Sequence, residues 1–247
     1  MSSSLTYRRA RASFQDLAKG LSVSVLWFVV IVAVIFLVIG MLVQLTTNGG
    51  GEASESIWEN SAYATRYFPL SMGIVITAAY LPVAIASGVT RRSFGWAGTA
   101  TVIALAGVMA LLEAGGYLIE YGLYRLADEV PTFTTPHLFT EGYQFWIIVP
   151  EVWIVVAANV AAGWLIGSAY YKWSWFWPTI CLPLLLLPML AVEAVMSVGW
   201  AGAVMENLDI ERLPDGVAVL VALGLLALTL AGIQRFVRTI DLRPQKA

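Results

Sequence analysis

The sequence predicts an all-α membrane domain of six transmembrane helices, with both termini in the cytoplasm and an amphipathic interfacial helix ahead of the first span. Three observations predict it. Hydrophobic residues make up 59% of the 247-residue chain and charged residues 12%, against roughly half apolar and a quarter charged in a soluble domain, and the mean hydropathy is +0.78. Six apolar runs are each long enough to cross a hydrocarbon core of about 30 Å at 1.5 Å rise per residue. Lys and Arg fall mostly on one side of those runs, the bias that sets orientation.

The runs are Leu21 to Thr46, Tyr67 to Ser87, Gly95 to Glu120, Phe145 to Ser168, Thr179 to Trp200 and Val217 to Phe236. Each must be helical, because lipid offers backbone groups no partner. The first is too long for a signal h-region and lacks a small-residue cleavage motif, so it is read as a retained span. Ahead of it, Tyr7, Ala10, Phe14, Leu17 and Leu21 recur at helical spacing with arginines elsewhere around the wheel, the pattern of a helix lying on a membrane surface. The domain organisation is thus a connecting segment (1–20), a membrane domain (21–236) and a tail (237–247). The run "TTNGGGEASES" (46–56) reads as a flexible outer loop. In "YYKWSWFWP" (170–178), Tyr170, Tyr171, Trp173, Trp175, Phe176 and Trp177 suit an interfacial anchor.

Arg8, Arg9, Arg11, Lys19, Arg91, Arg92, Lys172, Arg235, Arg238, Arg243 and Lys246 share one side, which is eleven of the fourteen basic residues. Arg66, Arg125 and Arg212 share the other, with Glu52, Glu55, Glu59, Asp128, Glu129, Glu141, Glu206, Asp209, Glu211 and Asp215. The eleven-to-three bias places the termini and the Arg91-Arg92 loop inside the cell and the protein in the cell (cytoplasmic) membrane.

Several chemistries are excluded. Cys181 is the only cysteine and His137 the only histidine, so neither an intrachain disulfide nor a paired-histidine zinc motif can form. None of the three lysines follows a glycine, so the chain lacks a Gly-Lys-Ser/Thr phosphate loop. His137, in "TTPHLFTEGY", has no nucleophile context and is expected to be an ordinary loop residue. No catalytic residue, cofactor or metal is expected in the chain, and no nucleic-acid partner.

Two places could carry function. The first is "SGVTRRSF" (87–94), between the second and third spans. Gly88 can end the preceding helix and Thr90 or Ser93 can cap the next. That leaves Arg91 and Arg92 to meet an acidic or carbonyl-rich partner surface, or only to fix topology. The second is Glu113, Glu151 and Glu193, which fall in the outer third of three spans. Carboxylates there must face the protein or a wet cavity. No Lys or Arg lies in a predicted span core to pair with them. They are read either as an acidic patch suited to a cationic substrate or a proton, or as separate structural carboxyls. Glu120 is expected to be solvated at an outer end. Gly163 and Gly167 form a Gly-x-x-x-Gly pair, suited to close helix packing.

The stretch "LPVAIASGVTRRSF" (81–94), followed directly by a span and set within six spans behind a basic amphipathic segment, resembles the permease subunit of bacterial type-2 ABC transporters. The resemblance covers nearly the whole chain in layout and about a dozen residues in detail. It implies an exporter built from two permease protomers, with ATP and Mg on a separate ATP-binding subunit. It also implies that Gly88, Thr90, Arg91, Arg92 and Phe94 touch that subunit, and that Tyr7 to Gly20 form a connecting helix. The family's re-entrant helical pair after the fifth span is expected to be short or missing, since only "SVGWAGAVMENLDIERLPDG" (197–216) is available. A proton-coupled secondary carrier using the three glutamates, or a non-transporting membrane scaffold or sensor, are the alternatives.

Overall fold

The computed structural model describes residues 2–46, 55–126 and 130–241. Among them the chain is built from helices: α1 (Ser2–Thr46), α2 (Ile57–Val75), α3 (Leu81–Ala86), α4 (Arg91–Leu126), α5 (Phe145–Trp173), α6 (Phe176–Ile180), α7 (Leu182–Met196), α8 (Gly199–Asn207) and α9 (Asp215–Arg238). A π-helical turn, Ile76–Tyr80, joins α2 to α3. Five helical segments are long and apolar enough to cross a membrane, and α7 with α8 makes a sixth if that bent pair is counted as one span.

The separate interfacial helix is not found. Helix α1 runs unbroken through Gly20 and Leu21. No proline lies between Tyr7 and Leu21, and one glycine costs a helix only about 1 kcal/mol. Leu17 and Leu21 are buried, and a Cβ at Gly20 would overlap the Tyr80 ring. The lower part of α1 is therefore core packing. The side chains of Tyr7 and Ala10 lie outside the described residues, as do residues 47–54, Asp128, Glu129, Arg243 and Lys246.

Helix α2 starts ten residues before the expected Tyr67. Ser56 caps it, its Oγ accepting from Glu59 N at 3.1 Å, and "SIWE" (56–59) has the Ser-x-x-Glu spacing of a helix start. Its far end widens into the π turn just before Pro82. Proline lacks an N–H and clashes with the carbonyl four residues back, which a local π turn relieves.

Helix α5 is the centre of the bundle. Trp164 is fully buried and donates from Nε1 to Thr77 Oγ1 at 3.0 Å, and Thr77 Oγ1 pairs with Ser168 Oγ at 2.7 Å. A Cβ at Gly163 would overlap the Leu70 carbonyl, one at Gly167 the Ile74 carbonyl, and one at Gly73 the Val160 carbonyl. The Gly-x-x-x-Gly pair therefore serves an intrachain crossing of α5 on α2. The outer faces remain apolar: Leu26, Leu37, Leu111, Leu220 and Leu228 are among the exposed side chains. Trp173, Trp175, Phe176 and Trp177 are also exposed, around α6.

The expected fifth span, Thr179 to Trp200, is divided. Helix α7 ends at Ser197, whose backbone is left-handed (φ 51°), and α8 leaves at 60° to it. The region 197–216, where a helical element was expected to be short or missing, holds a nine-residue helix, α8.

Candidate functional site

The two candidate places lie far apart along α4, since Arg91 and Glu113 are separated by about 33 Å of helix at 1.5 Å per residue.

At the first, Gly88 closes α3 with φ +81°, a conformation that glycine adopts without steric cost. Val89 N donates to Ala84 O and Gly88 N to Ile85 O, each at 2.9 Å, the paired bonds of a Schellman helix end. Thr90 then caps α4, its Oγ1 accepting from Ser93 N at 3.2 Å. Ser93 is buried and bonds back to Thr90. Gly88, Thr90 and Arg92 are exposed and Arg91 is partly so. Arg91 Nε is buried without a hydrogen-bond partner. Phe94, placed by the resemblance at a partner contact, is 0% exposed and sits in the core. It holds the turn from beneath.

At the second, α2, α4, α5 and the 130–144 loop bring their polar residues into one buried network. Arg66 donates from Nε and Nη2 to Glu113 Oε1, both at 3.2 Å. Thr65 Oγ1 donates to Glu113 Oε2 at 2.7 Å. Arg66 Nη2 is also 3.8 Å from Glu151 Oε1. The expectation that no cation in the spans pairs with these glutamates is therefore overturned. Arg66 lies in the membrane-length helical segment that starts at Ile57, because the capped start of α2 precedes it. Glu193 lies on the flank of the same cluster. It accepts from Tyr67 OH at 3.4 Å, and a Cβ at Gly199 would sit 3.5 Å from its carboxyl carbon and 3.7 Å from Arg66 Nη1.

No family model, curated protein or solved structure matches this chain. The residues therefore have to speak for themselves.

His137 is not an ordinary loop residue. Its side chain is 2% exposed. Nδ1 is 3.0 Å from Glu151 Oε1 and 3.4 Å from Arg66 Nη2, while Nε2 is 3.1 Å from Thr135 Oγ1 and 3.6 Å from Glu59 Oε1. The ring stacks on Phe139 with centroids 4.4 Å apart. Burial works against its charge, but the hydrogen bonds to Glu151 and Glu59 outweigh it and raise the pKa above the usual histidine value. Glu59 binds the loop backbone, accepting from Thr134 N at 2.8 Å and Thr135 N at 2.6 Å, and it accepts from the Thr135 hydroxyl. Glu151 Oε2 accepts from Leu138 N at 2.8 Å. Glu120, expected in solvent, is 1% exposed and accepts from Ser56 Oγ at 2.6 Å and Trp58 N at 2.8 Å. It tethers α4 to the start of α2.

Sequence reasoning found three members of this cluster and missed Arg66, His137 and Glu59. Only the Ser-x-x-Glu spacing at 56–59 offered a signal, since it moves the helix start ahead of Arg66. Among the described residues no group of three or more His, Cys, Asp or Glu is arranged to hold a metal ion. A cavity of about 350 Å³ opens beside the network, lined by Phe133, Thr135, His137, Ser197, Met205 and Arg212 among others.

Proposed function

We propose that this chain is a transmembrane permease subunit of an ATP-driven exporter of the type-2 ABC class. It would lie in the cell membrane, dimerise to form the substrate path, and couple to a separate ATP-binding subunit. The observation that carries the reading is the α3–α4 turn. It is closed by a glycine end, opened by a threonine cap and seated on Phe94. A turn so fixed at both ends and underneath transmits displacement to α4 instead of absorbing it. Its outward side offers Thr90 and Arg92, with the partly exposed Arg91 beside them. Guanidinium groups seek carbonyl or carboxylate acceptors, so a partner surface rich in either would fit. The chain is not read as an enzyme: ATP, Mg and hydrolysis belong to the partner.

For the glutamates, the geometry favours a structural role over a path for a cationic substrate. Glu113, Glu151 and Glu193 are at most 1% exposed, and Arg66 answers the first two directly.

The test is purification from native membranes. The parent chain should bring down a protein with a phosphate-binding loop and ATPase activity. Exchanging both Arg91 and Arg92 for Glu should remove that ATPase from the complex while leaving the chain folded and inserted. A double variant that keeps the ATPase complex and transports normally overturns the proposal.

A further inference from the structure

We infer that His137, seated between Glu59 and Glu151, is a proton-sensitive latch that holds the 130–144 loop down over the ends of α2 and α5. The inference does not depend on the proposed exporter role.

The geometry makes the ring's proton count matter. Each ring nitrogen faces a carboxylate on a different helix: Nδ1 faces Glu151 of α5 at 3.0 Å and Nε2 faces Glu59 of α2 at 3.6 Å. A neutral imidazole has one donor and one acceptor nitrogen, so it can serve only one acceptor, whereas an imidazolium serves both. The same two carboxylates also hold the loop's backbone, through Thr134 N, Thr135 N and Leu138 N. The ring therefore sits among the groups that pin the loop, and its charge offsets the repulsion between them. The ring stacks on the face of Phe139 with centroids 4.4 Å apart, a contact that favours a cation.

The charged and titratable neighbours decide the balance. Helix α2 contributes Glu59 and Arg66, α4 contributes Glu113 and Tyr117, and α5 contributes Glu151. The α8–α9 connection contributes Arg212, which donates to the His137 carbonyl at 3.4 Å and the Ser197 carbonyl at 2.8 Å, and α8 contributes Glu206 across the cavity. Arg66 makes two bonds to Glu113 and lies 3.4 Å from His137 Nδ1, where its charge opposes that of the ring but is outweighed by Glu151 and Glu59. Loss of the imidazolium proton then leaves Glu59 and Glu151 facing one neutral ring, with Arg66 3.8 Å from Glu151 as the nearest guanidinium. The loop is held tightest when His137 is protonated. It loosens as pH rises through the pKa of the buried ring, which stands above the usual histidine value.

The experiment is a nitroxide on Thr140→Cys, an exposed loop position, in a Cys181→Ala background, with label mobility followed from about pH 5 to about pH 9. The spectrum should be immobilised at low pH, with a mobile component growing as pH rises. In Glu59→Gln the midpoint should fall by about one unit or more, because a carboxylate that favours the charged ring is gone. In His137→Gln the pH dependence should vanish. A flat response in the parent, an unmoved midpoint in Glu59→Gln, or a surviving response in His137→Gln each overturns the inference. If His137→Gln does not fold, the Glu59→Gln midpoint still decides.

Discussion

The two candidate places along α4 are built on opposite plans. The Gly88–Phe94 turn is local: its glycine end, threonine cap and the bonds that close it span only a few residues. The network around Arg66 is largely non-local: Arg66 and Glu113 are 47 positions apart in the chain, and Tyr67 and Glu193 are 126. Local structure tolerates side-chain change wherever its backbone bonds survive. A buried ionic network does not, because each lost partner leaves a charge without compensation.

Ways of breaking that comparison rank by size. The largest effect is expected for Arg66→Ala, which leaves Glu113 buried without its cation. A loss of about 3–5 kcal/mol is expected, seen as a collapse of monodisperse protein on size-exclusion in detergent. Adding Glu113→Gln should recover much of it, and near-normal stability of the single variant would mean that the network is not structural. Next is Gly163→Leu, where the side chain meets the Leu70 carbonyl. Overpacking of this kind costs about 1–3 kcal/mol, read as a lower midpoint of thermal unfolding, and the partly exposed Gly115 should accept the same change far more readily, since nothing lies within 4 Å of its Cβ position.

Smaller effects sharpen the local side. Thr90→Ala removes the α4 cap and should cost about 1 kcal/mol; Thr90→Ser should cost less, and equal losses for both would assign the effect to something other than the hydroxyl. The pH response is a further contrast. The stability that His137 contributes should be complete below about pH 6.5, the ordinary histidine pKa, and fade as pH rises through its raised value. Thermal unfolding of the parent and of His137→Gln should therefore converge at alkaline pH. The smallest structural perturbation is a topology probe. Single cysteines at Arg92 and Thr140, both exposed, in a Cys181→Ala background, should label from opposite sides of the membrane with little change in stability. Labelling of both from one side would contradict the six-span layout.

Much of the helical plan was legible because apolar length and helix-ending residues are written locally. Gly88 and Thr90 were readable as a stop and a start, and they act so. Gly163 and Gly167 were readable as a close-packing pair, but not which helix they would meet. Phe94 was misplaced because a resemblance to a contact motif does not say which side of a helix faces inward. The interfacial helix was misread because amphipathic spacing looks the same whether the apolar face meets lipid or, as for Leu17 and Leu21, the protein's own core.

The sequence by itself determined an all-helical chain with five or six segments long and apolar enough to span a membrane, because hydrophobic run length and breaker residues act on the backbone nearby. Only the tertiary structure decided that Arg66 lies inside a membrane-length helix and meets Glu113 and Glu151, and that a loop histidine closes on Glu59. Those contacts join residues far apart in the chain. Which carboxylate meets which cation is settled by how α2, α4 and α5 cross, and the α2–α5 crossing is set by the fit of Gly73, Gly163 and Gly167 against facing backbone.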